Sequence, residues 1–115
     1  KNVLLFGTLL SGIGLMFMTL KNVPTSFIFR MIHETGDAAM FFFQIYGISK
    51  LFELERIGGN SSIVTFVIII GGSLGAFIFG QIGASYGYNF PFIVGGITTL
   101  IAFLLTIKFT HLVKH

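Results

Sequence analysis

The stretch SIVTFVIIIGGSLGAFIFGQIGA, residues 62–84, decides the fold class. It carries no charged side chain and exceeds the about 20 residues an α-helix needs to cross a bilayer. Its first half, the β-branched and aromatic run over residues 64–70, also suits a strand. Strands in such an apolar chain leave unpaired backbone edges in lipid, whereas a helix satisfies its own backbone groups. The helix is therefore the expected form.

Working outward, three further apolar segments flank this one, at residues 3–20, 24–52 and 90–109. Between the first two lies Lys21-Asn22-Val23-Pro24, where the proline ends one helix and suits the first turn of the next. Residues 53–62 read as a loop, with Gly58 and Gly59 as breakers and Asn60 or Ser61 as a cap. Residues 85–89 form a short uncharged turn, with Tyr86 and Tyr88 suited to a membrane interface. The expectation is an all-α membrane protein with four transmembrane helices, residues 1–115 forming one transmembrane domain, a small multi-span protein or a piece of a larger one.

Composition agrees. Of the 115 residues 54% are hydrophobic and only 10% charged, against roughly 25% in soluble domains. This excludes a soluble enzyme, a disordered segment and, with no cysteine, a disulfide-stapled domain. The formal charge of +3 is spread too thinly for a nucleic-acid surface. It bears on topology instead. With four spans, Lys1, Lys50, Arg56, Lys108 and Lys114 collect on one side, and Lys21 and Arg30 on the other. The excess of cations places both termini in the cytoplasm, in a cell (inner) membrane.

The second segment holds the residues that point to chemistry. With Arg30 at 0°, His33, Glu34, Asp37 and Gln44 fall at about 300°, 40°, 340° and 320° on a helical wheel. Phe41 shares their stripe, and the other faces are apolar. Arg30 and Glu34 are four residues apart, as are His33 and Asp37, so each base reaches an acid one turn away. A charge facing lipid costs about 2.5–3.5 kcal/mol at mid-membrane, so the stripe is expected to face a bundle interior or a water-filled cavity. It reads as a substrate, ion or proton pathway, or as pairs that satisfy each other and hold the end of the span.

Elsewhere, Gly72, Ala76, Gly80 and Ala84 recur every fourth residue and read as a helix-packing ridge. Gly7, Ser11, Gly12 and Gly14 permit close backbone approach in the first span. No metal is expected: His33, Glu34 and Asp37 have no second ligand cluster beside them, and His111 and His115 sit in the tail. No cofactor is expected either. The glycine-rich run lacks the Gly-Lys-Ser/Thr ending of a phosphate loop, and no nucleophile–base pair marks an enzyme.

The order of these features resembles four consecutive spans of one six-helix half of a major facilitator superfamily transporter, the third to sixth or the ninth to twelfth. Arg30, His33, Gly36, Ala38 and Ala39 look like the opening of that family's fourth span. Residues 52–59, FELERIGG, are similar to its cytoplasmic connection, and Gly83-Ala84-Ser85-Tyr86-Gly87-Tyr88 with Phe90-Pro91-Phe92 to its next turn. Gly75-Ala76 stands where the antiporter signature has Gly-Pro, and Glu34 and Asp37 are additional to the pattern. The resemblance implies secondary active transport of a small solute by alternating access, with proton coupling a further expectation. It makes Arg30 a proton or anion relay with Asp37 and Glu34 as partners. Expected partners are the lipid bilayer, the remaining helices of the transporter or a second copy, and the solute. The alternatives are a four-span multidrug-type exporter acting as a dimer, although the first span lacks its membrane-embedded acid, and a non-transporting scaffold subunit that binds a helix through the Gly72 ridge.

Overall fold

The computed structural model describes residues 1–112, with side chains to Thr110; Lys114 and the His111–His115 pairing lie outside the described residues. The described chain is almost wholly helical. Four helices, α1 (Asn2–Phe17), α2 (Val23–Leu51), α3 (Ile57–Tyr86) and α4 (Asn89–Leu112), are joined by short connections, the second containing one 3-10 turn, Leu54–Arg56.

The α1–α2 connection forms as the sequence implies. The Asn22 side chain caps α2 by accepting from the Thr25 N–H at 3.2 Å, and Pro24 occupies the first turn. The Ser26 hydroxyl donates to the Met18 carbonyl at 2.5 Å, tying the start of α2 to the end of α1. At the same end of the bundle, Gly87 caps α3 at φ 95°, a conformation that L side chains rarely adopt. Gly83 lies buried against Pro91 and Tyr88, which turns the chain back into α4.

Two boundaries differ from expectation. The loop expected over residues 53–62 is mostly helix: α3 begins at Ile57 and runs through Gly58 and Gly59, with Arg56 at the cap position instead of Asn60 or Ser61. Two glycines cost a helix about 1 kcal/mol each, too little to break one that the apolar run beyond them propagates. The Ser61 and Ser62 hydroxyls both donate to the Gly58 carbonyl. In the first span the helix stops at Phe17, and residues 18–20 turn toward Asn22.

By length and composition two helical segments suffice to cross a membrane: Leu54–Tyr86 with 33 residues and Asn89–Thr110 with 22. Helix α1, with 16 residues, is apolar but shorter, about 24 Å at 1.5 Å per residue. Helix α2 has the length, 29 residues, but carries the charged stripe.

Helix α1 is the centre of the packing, lying between α2 and α4. Its side toward α2 is made of Gly7, Ser11 and Gly14. A methyl group at Gly14 would meet the His33 backbone and the Phe29 carbonyl, and one at Gly36 would meet the backbone of Ser11 and the carbonyl of Gly7. Its side toward α4 uses Gly12, whose carbonyl faces Gly96. Helix α3 stands to the side, meeting α4 near Gly83 and α2 near its C-terminal end. The Gly72–Ala84 ridge is covered by no described helix: Gly72 and Gly80 have open space where a Cβ would sit. Close approach among the described helices occurs on α1, through the Gly7, Ser11, Gly12 and Gly14 set.

This packing predicts that Gly14→Ala and Gly36→Ala each destabilise the folded chain by about 1–3 kcal/mol through overpacking. Gly72→Ala and Gly80→Ala are expected to leave stability unchanged or raise it by up to about 1 kcal/mol through helix propensity. Unfolding by titrating sodium dodecyl sulfate into detergent-solubilised protein measures both.

Candidate functional site on the polar edge of α2

Helical periodicity puts the charged residues of α2 on one stripe, and the packing of α1 divides that stripe lengthwise. The α1-facing line of α2 runs through Phe29, His33, Gly36 and Met40. His33 therefore points into the interface, its side chain only 18% exposed, and Asp37 sits at the margin with 47% exposed. Arg30 and Glu34 lie one step further round and are open, at 69% and 59%.

Both i, i+4 pairs form. The Arg30 Nε lies 3.9 Å from Glu34 Oε1, the loose contact typical of an exposed pair, which contributes at most about 1 kcal/mol. The His33 Nε2 lies 3.5 Å from Asp37 Oδ2. This second pair is anchored from across the interface by Ser11 of α1, which is 3% exposed. The Ser11 hydroxyl donates to Asp37 Oδ1 at 2.5 Å. The His33 Nδ1 is 3.0 Å from Ser11 Oγ and 3.1 Å from the Ser11 carbonyl oxygen. One buried serine thus touches both members of an acid–base pair on the neighbouring helix.

Glycine makes that reach possible. A serine hydroxyl extends a little over 2 Å from its Cα, so the two backbones must come closer than the usual 8–10 Å between helix axes. Gly7 and Gly14 flank Ser11 at i−4 and i+3 on α1, and Gly36 adjoins Asp37 on α2. One turn toward the chain's start, the Thr8 hydroxyl approaches Met40 Sδ at 3.6 Å while donating to the Leu4 carbonyl at 2.7 Å.

The remaining stripe residues stand apart. Phe41 is 63% exposed on the same open edge as Arg30 and Glu34. Gln44 lines an apolar groove of about 290 Å³ with Leu4, Met40, Gly47 and Val64, two turns beyond Asp37. Ser11 as a polar hub was missed by reading α2 alone. Its signal was a serine placed between two glycines on one face of an otherwise apolar helix.

The arrangement is a charged edge on a helix of an apolar bundle, with the Arg30–Glu34 ion pair open and the His33–Asp37 contact held by a buried hydroxyl. Compared with protein families, residues 1–115 match the model described as Major Facilitator Superfamily over their whole length. The chain belongs to the major facilitator superfamily. This makes it part of a membrane transporter of the major facilitator type, an integral membrane protein seated in a lipid bilayer, in a family whose members are in general not enzymes. No curated protein and no solved structure matches the chain.

The geometry predicts that Ser11→Ala and Asp37→Ala are coupled. A double-mutant cycle on unfolding free energy is expected to give about 0.6–1.7 kcal/mol between them, from the average to the upper limit for hydrogen bonds between membrane helices. The same cycle between Ser11→Ala and Glu34→Ala should close to within about 0.5 kcal/mol, because Glu34 shares no partner with Ser11.

Proposed function

We propose that this chain contributes four membrane spans to one six-helix half of a secondary transporter, and that the polar edge of α2 lines the route taken by a small solute or a proton. The observation that carries the reading is the placement of Arg30, Glu34 and Phe41 on an open edge, beside the Ser11-held pair of His33 and Asp37. Three ionised groups turned to lipid would cost several kcal/mol together. A water-filled cavity between two helical bundles removes that cost. Gln44, further along the stripe, is assigned to the same route.

In this reading Arg30 and Glu34 form the adjustable element. Their contact is loose and exposed, so an anionic group on a solute competes for the guanidinium at small cost. The His33–Asp37 pair is the fixed element, bound to α1. Alternating access follows from rocking of the two halves of the complete transporter about the site. The uncovered ridge of Gly72, Ala76, Gly80 and Ala84 is assigned as the seat for the remaining helices or a second copy. Membership of the major facilitator superfamily displaces the small multidrug-type exporter as a reading.

The cation distribution supports cytoplasmic termini, with the Leu54–Arg56 turn on the same side and the Gly87 turn outside. A single cysteine at Ser85 is then expected to react with a membrane-impermeant maleimide added to intact cells, and one at Glu55 only after the membrane is opened. The reverse labelling would invert the topology.

Solute flux by the full-length transporter tests the route. Replacing Arg30, Glu34 and Asp37 together with Gln, Gln and Asn is expected to lower uptake or export at least about tenfold with surface expression unchanged, equivalent to about 1.4 kcal/mol on the transport barrier. Flux that persists at the original rate in this triple variant would remove the stripe from the mechanism.

A further inference from the structure

We infer that the flank of α2 opposite the charged edge carries a site for an anionic phospholipid, its phosphate held between Lys1 and Lys50 and its acyl chain laid along Val3, Phe42 and Phe43. The inference rests on the reading that the charged edge faces a water-filled interior, which leaves the opposite flank to the bilayer. With Arg30 at 0°, Phe42, Tyr46 and Lys50 fall at about 120°, 160° and 200° on the helical wheel. Phe42 and Tyr46 are both exposed there.

Positive charge and aromatic rings meet at one point of this flank. The start of α1 and the end of α2 bound a groove of about 150 Å³, lined by Lys1, Val3, Phe42, Phe43 and Tyr46. The Lys50 ammonium lies over the Tyr46 ring, 5.8 Å from its centroid, and Phe42 stacks against the same ring at 6.3 Å between centroids. Two cations from two helices thus gather about one tyrosine. Among the described residues neither lysine makes an ion pair, and Glu53 and Glu55 lie beyond the end of α2. The last turn of a helix suits Lys50 for its dipole, but that does not draw Lys1 to the same groove. An aromatic face attracts a cation without neutralising it. An anion between the two ammonium groups does neutralise them.

The kind of anion follows from depth. Lys1 and Lys50 stand at the ends of helices in a membrane protein, where lysine reaches up to the headgroups and tyrosine sits at the interface. Phe42 lies one turn below Tyr46, about 6 Å nearer the acyl chains. A soluble anion satisfies the lysines and leaves the groove beneath them empty, whereas a phospholipid occupies both. Basic pockets between membrane helices take anionic headgroups for the same reason. About 10 Å deeper on this flank of α2, Ile28, Ile32 and Thr35 join Leu10 of α1 in a second apolar groove, of about 270 Å³, for the rest of the chain.

Photolabelling of the full-length transporter in phosphatidylcholine nanodiscs tests this without any flux, so it can fail while the solute route stands, and the reverse. The probes are phosphatidylglycerol and phosphatidylcholine with the same diazirine-bearing acyl chain, each added in trace amount. Phosphatidylglycerol is expected to label Val3, Phe42 or Phe43 at least about tenfold more than phosphatidylcholine does. Lys1→Gln with Lys50→Gln should bring the two probes level, Lys1→Arg with Lys50→Arg should keep the preference, and Lys21→Gln, at the opposite end of the helices, should not change it. Equal labelling by the two lipids would overturn the inference. So would an unlabelled groove, the result if another helix of the transporter fills it, or a preference that survives removal of both lysine charges. Displacement of the probe by glycerol phosphate would mark a soluble-anion site and overturn it too. If the double Gln variant fails to fold, the comparison of the two lipids on the unaltered transporter decides, together with loss of the preference on raising salt from about 0.1 to 1 M.

Discussion

Everything distinctive in this molecule depends on how closely α1 and α2 approach. Lipid chains are as apolar as leucine, so helices in a bilayer gain little from hiding apolar surface against each other. What holds them is dispersion between well-fitted backbones and the hydrogen bonds that close fitting permits. Gly7 and Gly14 on one helix and Gly36 on the other remove the Cβ atoms that would keep the backbones apart. Only then does a side chain as short as Ser11 span the gap to both His33 and Asp37. Fit and polar contact are one device.

The same economy of small residues gives α1 its central place. Gly7, Ser11 and Gly14 face α2, while Gly12 faces Gly96 of α4, so one 16-residue helix makes two close interfaces on two of its sides. Helix α3 is held mainly through its ends, by Gly83 against Tyr88 and Pro91 and near the C-terminus of α2. The consequence for the charged stripe is geometric. Because α1 covers only the His33 side of α2, the two i, i+4 pairs occupy different surroundings although they lie on one helix face. Arg30 and Glu34 are free to exchange partners, and His33 and Asp37 are not.

Which parts of this were readable beforehand follows from what periodicity encodes. The 100° step of a helix places Arg30, Glu34, His33 and Asp37 together and pairs them correctly at i, i+4, because both facts are local to one helix. Proline and asparagine mark the start of α2 for the same reason. Periodicity does not say which face meets which neighbour. The four-residue repeat from Gly72 to Ala84 and the less regular Gly7, Gly12 and Gly14 both read as close-approach surfaces, and among the described helices only the second set meets a partner. Gly58 and Gly59 were read as breakers because propensity is local, and the long apolar run beyond them overrode it. Ser11 was invisible as a hub for the reason that made the stripe visible: its partners lie 22 and 26 residues away, on another helix.

Asp37 joins the two halves of the site. One of its oxygens accepts from α1 and the other meets His33 on its own helix, while half of the side chain faces outward. Drawing Asp37 outward, toward a cation or into water, leaves the Ser11 hydroxyl buried without its acceptor. An unsatisfied buried hydroxyl costs about 1–3 kcal/mol. That cost ties the position of the Asp37 side chain to the strength of the α1–α2 contact. The two close interfaces are adjacent on α1: Ser11 turns to α2 and Gly12, the next residue, turns to α4.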